Sequence, residues 1–338
     1  MKLELLHKTA NGPPKPVKLL FIHGICTGAW VWEPHFLPFF AKLGYDSYAL
    51  SLRGHGKSEG RDKVREFALS DFADDIAWAL KLARSRFEKV IWVPGNHELW
   101  TTNKDPMQVF GRDRYDYLVN MCDELGVVSP EHPFPVWTER GGPATIVPLF
   151  LLYDYSFLPK GATTKAEGLA IARERNVVCT DEFLLSPEPY PTREAWCHER
   201  VASTRKRLDD LDWMNPTVLV NHFPMVRQPC DALFLPEFSL WCGTTETADW
   251  HTRYNAVCSV YGHLHIPRTT WYDDVRFEEV SVGYPREWRR RKPYSWLRQV
   301  LPDPQYAPGY LNDFGGHFVI TEEMRTQAQQ FRDRLRQR

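Results

Sequence analysis

Residues 89–98 read KVIWVPGNHE: a mostly apolar run, a Pro94-Gly95 stop, then an amide, an imidazole and a carboxylate. A short apolar run bounded by turn residues is the mark of a strand buried on both faces, as in a parallel sheet. The pattern therefore predicts a strand over Lys89–Val93 that ends in Asn96-His97-Glu98. Two later stretches follow the same grammar. Thr217–Val220 (TVLV) runs into Asn221-His222, and Val257–Tyr261 (VCSVY) runs into Gly262-His263-Leu264-His265. Groups at the carboxyl ends of parallel strands converge on one crevice. Three such loops predict a shared metal site, because imidazole nitrogen and amide oxygen suit borderline divalent ions such as Zn, Mn or Fe. His263 and His265, one residue apart, can address two neighbouring ions. Gly95 and Gly262 are expected to supply the backbone freedom that turns each loop inward.

Working outward, Val17–Ile22 and Tyr45–Leu52 read as strands, with a helix around Glu33–Leu43 between them. A polar loop, Arg53–Gly60, precedes a helix over Asp71–Phe87, where Phe72, Ile76, Ala79, Leu80 and Ala83 recur at helical spacing. This strand–helix alternation predicts a parallel sheet covered on both faces. Further strands are expected at Ala144–Leu152 and Val275–Val282, and a charged helix at Thr321–Arg338. Residues 1–16 read as a polar lead-in.

Composition narrows the function. The 338 residues carry 42 Lys plus Arg against 43 Asp plus Glu, a net charge of −1, which argues against a nucleic-acid or membrane-surface partner. No apolar run approaches the length needed to span a bilayer. Seven cysteines, with no C-x-x-C pair, read as reduced, mostly buried thiols of a cytoplasmic protein.

The set GNHE, NH and GHLH resembles the second half of the calcineurin-like metallophosphoesterase signature. The resemblance implies that Asn96, His222 and His263 hold one divalent ion and His265 the other. It also implies that His97 donates a proton to the leaving group, with Glu98 supporting the loop from behind. Two ions of Mn, Fe or Zn would activate water and neutralise phosphoryl charge. From about residue 72 to 338 the chain is similar to the actinobacterial phosphopantetheine hydrolases, notably in KVIWVPGNHELW (89–100) and PLFLLYDYSFLP (148–159). That implies a phosphodiesterase releasing 4′-phosphopantetheine from acyl carrier protein.

The front departs from this pattern. The family's Asp-x-His loop after its first strand and Gly-Asp-x-x-Asp loop after its second are both read as absent from the whole sequence. Residues 17–75 instead resemble the opening of a serine α/β-hydrolase of the lysophospholipase type, in LFIHG (20–24) and YALSLRGHGKSEG (48–60). The chain thus reads as a chimera joined within Asp71–Leu80: a lead-in (1–16), a hydrolase-like segment (17–75) and a metallophosphoesterase-like domain (76–338). The implied fold is α/β, a mixed β-sandwich flanked by helices with its first two β–α units replaced. The exchange would leave the dinuclear site short of acidic ligands. His23, Cys26 and His55 would stand at the new strand ends. Two rival functions follow: an inactive scaffold that binds carrier protein, and a serine carboxylesterase. The latter is weak, because Ser58 of G-x-S-x-G lies past its strand within a loop, whereas a nucleophile elbow sits between strand and helix. Arg286, Arg289, Arg290 and Arg291 form a basic run around Trp288 suited to docking an acidic partner or a phosphate.

Overall fold

The computed structural model describes residues 2–14, 18–22, 28–34, 36–63, 77, 81, 84, 88–102, 105, 107–211, 214–281 and 298–304. The chain divides into two compact units. One comprises Met1–Trp92, Thr101–Glu131 and Gly283–Leu297; the other comprises Val93–Trp100, His132–Val282 and Arg298–Arg338.

In the first unit, β1 (Glu4–Lys8), β2 (Lys18–Ile22) and β3 (Asp46–Ser51) form a sheet in the order β1-β3-β2. β2 and β3 are parallel, as the two apolar runs predict, and the Phe36–Lys42 helix lies between them in sequence. Phe36, Leu37, Phe40 and Ala41 are the buried residues of that helix, a spacing that makes one apolar stripe. Phe21 of β2 meets Trp32, Phe36 and Phe40 at ring separations of 5.3, 5.9 and 5.4 Å.

Two expectations need correction here. The stretch read as a polar lead-in contains β1, which pairs antiparallel with β3. Its charged residues suit an edge strand, and His7 stacks on Tyr48 directly opposite it, 4.3 Å between ring centres. Conversely, Lys89–Val93 makes no ladder among the described residues. It forms a single parallel bridge, Ile91 to Val128, where Trp92 N donates to Val128 O at 2.8 Å. Pro94 follows with no N–H to extend the pairing. The helix expected at Asp71–Phe87 lies outside the described residues except at Ala77, Lys81 and Arg84, which are helical. The tail helix at Thr321–Arg338 lies outside them altogether.

The second unit holds a six-stranded mixed sheet, β4-β5-β6-β7-β9-β8. Its strands are β4 (Val136–Trp137), β5 (Ala144–Pro148), β6 (Thr217–Val220), β7 (Ala256–Tyr261), β8 (Arg268–Tyr272) and β9 (Val275–Glu279). β5, β6, β7 and β9 run parallel, while β4 and β8 close the edges antiparallel. Every residue of β9 is buried, charged ones included. Glu278 accepts from Thr269 Oγ1 at 2.8 Å and faces the guanidinium groups of Arg276 and Arg298 at 3.4 Å. Arg276 also donates to Val300 O at 2.7 Å, so this buried ion network ties residues 298–303 to the sheet.

A polar knot closes the first unit. Ser51 Oγ donates to Glu4 Oε2 at 2.6 Å and accepts from Ala29 N at 2.7 Å. Glu4 Oε2 also takes Lys57 N, and a Cβ on Gly56 would collide with both Ser51 and Glu4. Glu4→Ala would leave the buried Ser51 O–H without its acceptor, and an unsatisfied buried group costs about 1–3 kcal/mol. A urea melt of the variant should show that loss, whereas Leu5→Ala, at an exposed position, should change stability far less.

Candidate metal centre

β6 and β7 are adjacent and parallel, so their carboxyl ends open side by side and deliver His222 and His263 to one place. Asn221 latches the first turn. Its Oδ1 accepts Leu151 N at 3.2 Å and its Nδ2 donates to Phe223 O at 2.9 Å. Gly262 N donates to His222 O at 2.9 Å and joins the two loops. The turn itself is tight, with Leu264 N bonded to Gly262 O at 2.8 Å.

The expected role of the glycines is corrected by the backbone. Left-handed φ falls on His263 (71°) and His265 (58°), not on Gly262 or Gly95. Such non-glycine residues store strain on the order of 1–3 kcal/mol each, a common feature of functional turns. Gly95 is required for space instead. A Cβ there would meet Glu98 Oε2 at 2.8 Å and the His222 ring at 2.9 Å.

Two ligand-type atoms flank a third. His222 Nε2 lies 3.1 Å from Asn96 Oδ1 and 3.2 Å from His263 Nδ1. Two ligands held about 2.1 Å from one cation at right angles or slightly wider are separated by about 3.0–3.4 Å, so these atoms fit a shared divalent ion. Both imidazoles are suited to ligation as neutral rings. Burial, then the charges of His97 and His265, pushes His222 down to about 3. Burial followed by the charges of His222, His265 and His97 holds His263 well below the usual histidine range. His265 is thus close enough for its charge to act on both rings.

His97 opens a short 3₁₀ turn, His97–Leu99, and its ring stacks on Trp100 at 3.9 Å. It keeps solvent-exposed surface, yet burial of the ring lowers its pKa against the opposing pull of Glu98 and Asp181. Glu98 Oε2 accepts Gly95 N at 2.9 Å and so closes the turn that aims Asn96.

Two participants have no sequence signal. Asp181 Oδ1 accepts Asn96 Nδ2 at 2.8 Å and Trp100 Nε1 at 2.6 Å. Asp181 lies 85 positions from Asn96, in a four-residue helix that no spacing rule connects to GNHE. Trp100 lies within the quoted stretch, but only the fold reveals its bond to Asp181.

Other candidates lie elsewhere. His55 is buried and holds the Arg53 carbonyl at 2.9 Å. Ser58 Oγ donates to Ser51 O at 2.6 Å and accepts Glu4 N at 2.8 Å, which makes it part of the loop's own bonding. Asp249-Trp250-His251 does spell Asp-x-His, but it opens a short helix instead of following a strand, and His251 is bonded to Asp273 at 2.8 Å. A separate cluster, Asp154, His198 and Glu246, brings three ligand-type atoms within 4.8 Å of one another. Asp154 there is already bonded to Thr244 Oγ1 and Ser156 N. His23, Cys26, Arg286, Arg289, Arg290 and Arg291 lie outside the described residues.

The calcineurin-like phosphoesterase family matches residues 58–267, which is more than half the chain and includes Asn96, His222 and His263. The chain belongs to the calcineurin-like phosphoesterases. A second match, to the α/β hydrolase fold, covers residues 18–95, so the sequence is a composite of the two. A [acyl-carrier-protein] phosphodiesterase, PptH, from Mycobacterium tuberculosis is 86% identical over 270 residues, covering 80% of this chain and 83% of that protein. The crystal structure of phosphopantetheinyl hydrolase (PptH) from the same organism superposes with a TM-score of 0.68 at 87% identity. That match covers 70% of this chain and 84% of the other. Family membership implies divalent metal ions.

Gly95→Ala should displace the His222 ring, since overpacking costs about 1–3 kcal/mol. Titration with Mn²⁺ followed by electron paramagnetic resonance should show affinity weaker by about 5–100-fold, each 1.4 kcal/mol being tenfold. Gly262→Ala, whose Cβ would meet Ser281 Oγ at 3.3 Å, should perturb it less.

Proposed function

We propose that this chain is a metal-dependent phosphodiesterase that releases 4′-phosphopantetheine from acyl carrier protein. The observation that carries the reading is the placement of Asn96 Oδ1 and His263 Nδ1 at 3.1 and 3.2 Å from His222 Nε2 in a chain this similar to PptH. Asn96, His222 and His263 would hold one ion of Mn, Fe or Zn, and His265 would serve a second. Bound metal supplies Lewis-acid charge for the phosphoryl oxygens and an activated water. His97, stacked on Trp100 beside the cluster, would protonate the departing carrier-protein oxygen. Glu98 would keep the Asn96 turn closed. The basic run Arg286, Arg289, Arg290 and Arg291 would receive an acidic carrier protein or the phosphate of its arm.

The junction is proposed at residues 71–80, and the two family matches overlap across a window, 58–95, that brackets it. Because the Asp-x-His and Gly-Asp-x-x-Asp loops are missing from the front, the site is read as having one well-supplied metal position and one impoverished one. A cytoplasmic setting is consistent with Cys122, Cys179, Cys197, Cys230, Cys242 and Cys258, all buried and free. Among the described residues, no helix is long and apolar enough to cross a membrane. The carboxylesterase alternative loses support because the Ser58 hydroxyl is committed to Ser51 and Glu4.

The test is release of phosphopantetheine from holo carrier protein with added Mn²⁺. Turnover should disappear with a chelator and return with metal. His97→Ala should lower kcat by about 10²–10⁴, the usual worth of a general acid. Carrier-protein binding with no turnover at any metal concentration would replace this reading with the scaffold one.

A further inference from the structure

We infer that Asp181 is the positioning residue of the metal centre, the group that decides which atom Asn96 presents to the ion. The inference rests on the metal-centre reading above. An amide side chain has two faces of opposite character: an oxygen that can ligate a cation and an NH₂ that repels one. Nothing in the covalent geometry of Asn96 chooses between them. Asp181 Oδ1 accepts Nδ2 at 2.8 Å, a charge-assisted bond that leaves Oδ1 facing His222 Nε2 at 3.1 Å. The reversed amide would set oxygen against carboxylate and NH₂ against the cation.

The same oxygen of Asp181 accepts Trp100 Nε1 at 2.6 Å, and the Trp100 ring carries His97 at 3.9 Å. One buried carboxylate oxygen therefore orients a metal ligand directly and the His97 ring through an intervening indole. Asp181 is fully buried, and the Cys179 thiol, its pKa raised by burial and by the Asp181 charge, stands close to the same carboxylate. A buried carboxylate is costly in isolation, and a cation bound beyond Asn96 would offset part of that cost.

The carboxylate is held on a rigid support. Arg193 Nη2 donates to Asp181 O at 2.7 Å and Arg193 Nε to Leu185 O at 2.9 Å, clamping both ends of the short helix. The neighbouring Glu182 Oε1 accepts Tyr155 OH at 2.8 Å and Trp241 Nε1 at 2.7 Å. Outer-shell partners locked in this way commonly contribute 10–100-fold to metal affinity.

The experiment compares Mn²⁺ affinity, by electron paramagnetic resonance titration of the full chain, for the parent, Asp181→Asn, Asp181→Ala and Trp100→Phe. Thermal melts without metal check that each variant is folded. Asp181→Ala should bind Mn²⁺ about 10–100-fold more weakly. Asp181→Asn keeps an acceptor oxygen and should recover part of that loss. Trp100→Phe breaks the other bond to the same oxygen and should leave affinity within about twofold while lowering kcat, with KM little changed. Equal affinities for parent and both Asp181 variants would overturn the inference. So would an affinity loss in Trp100→Phe as large as in Asp181→Ala, which would mark a merely structural contact. If the parent chain itself binds no Mn²⁺, the metal-centre reading falls and this inference falls with it. Should Asp181→Ala fail to fold, Asp181→Asn decides: affinity equal to the parent's, with its kcat also unchanged, would overturn the inference.

Discussion

The centre depends on one imidazole nitrogen being packed at once against an amide oxygen and a second imidazole nitrogen, where a single N–H can serve only one of them. His222 Nε2 faces Asn96 Oδ1 at 3.1 Å and His263 Nδ1 at 3.2 Å. Packed against each other, these lone pairs repel unless a proton or a cation lies between them. The surrounding structure is what holds them there. β6 and β7 end side by side, Asn221 latches one turn to Leu151, and Gly262 N bonds the other to His222 O. Left-handed backbone at His263 and His265 adds strain that this bonding offsets. Gly95 completes the cluster by leaving room for the His222 ring.

Burial sets the chemistry of the rings. Both histidines are driven toward the neutral form, the form that ligates metal. A cation would thus replace protons the site already disfavours. Around this neutral pair stands one fully buried carboxylate, Asp181, which reaches Asn96 and, by way of Trp100, His97. The proposed metal position and the proposed proton donor share a support, so a change in Asp181 is expected to reach both.

Much of this was legible in the sequence, for a physical reason. Apolar runs such as TVLV and VCSVY announce buried parallel strands, and the residues that follow them must lie at the carboxyl edge of the sheet. His222 and His263 could therefore be paired before any coordinates. The KVIWV run misled in kind, since it makes one bridge to Val128 before Pro94 ends it, yet Asn96 still reaches the same point. β1 escaped notice because Glu4 and Lys8 bracket two adjacent leucines, leaving no alternation to read, a pattern an edge strand tolerates. Asp181 escaped for a different reason. Its partner lies 85 positions away, and a single buried carboxylate in a four-residue helix leaves no periodic trace. Gly95 does stand at its turn as expected, but what requires it is the close approach of Glu98 and His222 and not a left-handed backbone.

The most direct measurement is anomalous X-ray scattering from crystals of the full chain grown with Mn²⁺, recorded at a wavelength where manganese scatters strongly. The account predicts an anomalous peak about 2.0–2.3 Å from Asn96 Oδ1, His222 Nε2 and His263 Nδ1 together. A chain with no peak there, or with its peak at Asp154, His198 and Glu246 instead, would contradict the account at its centre.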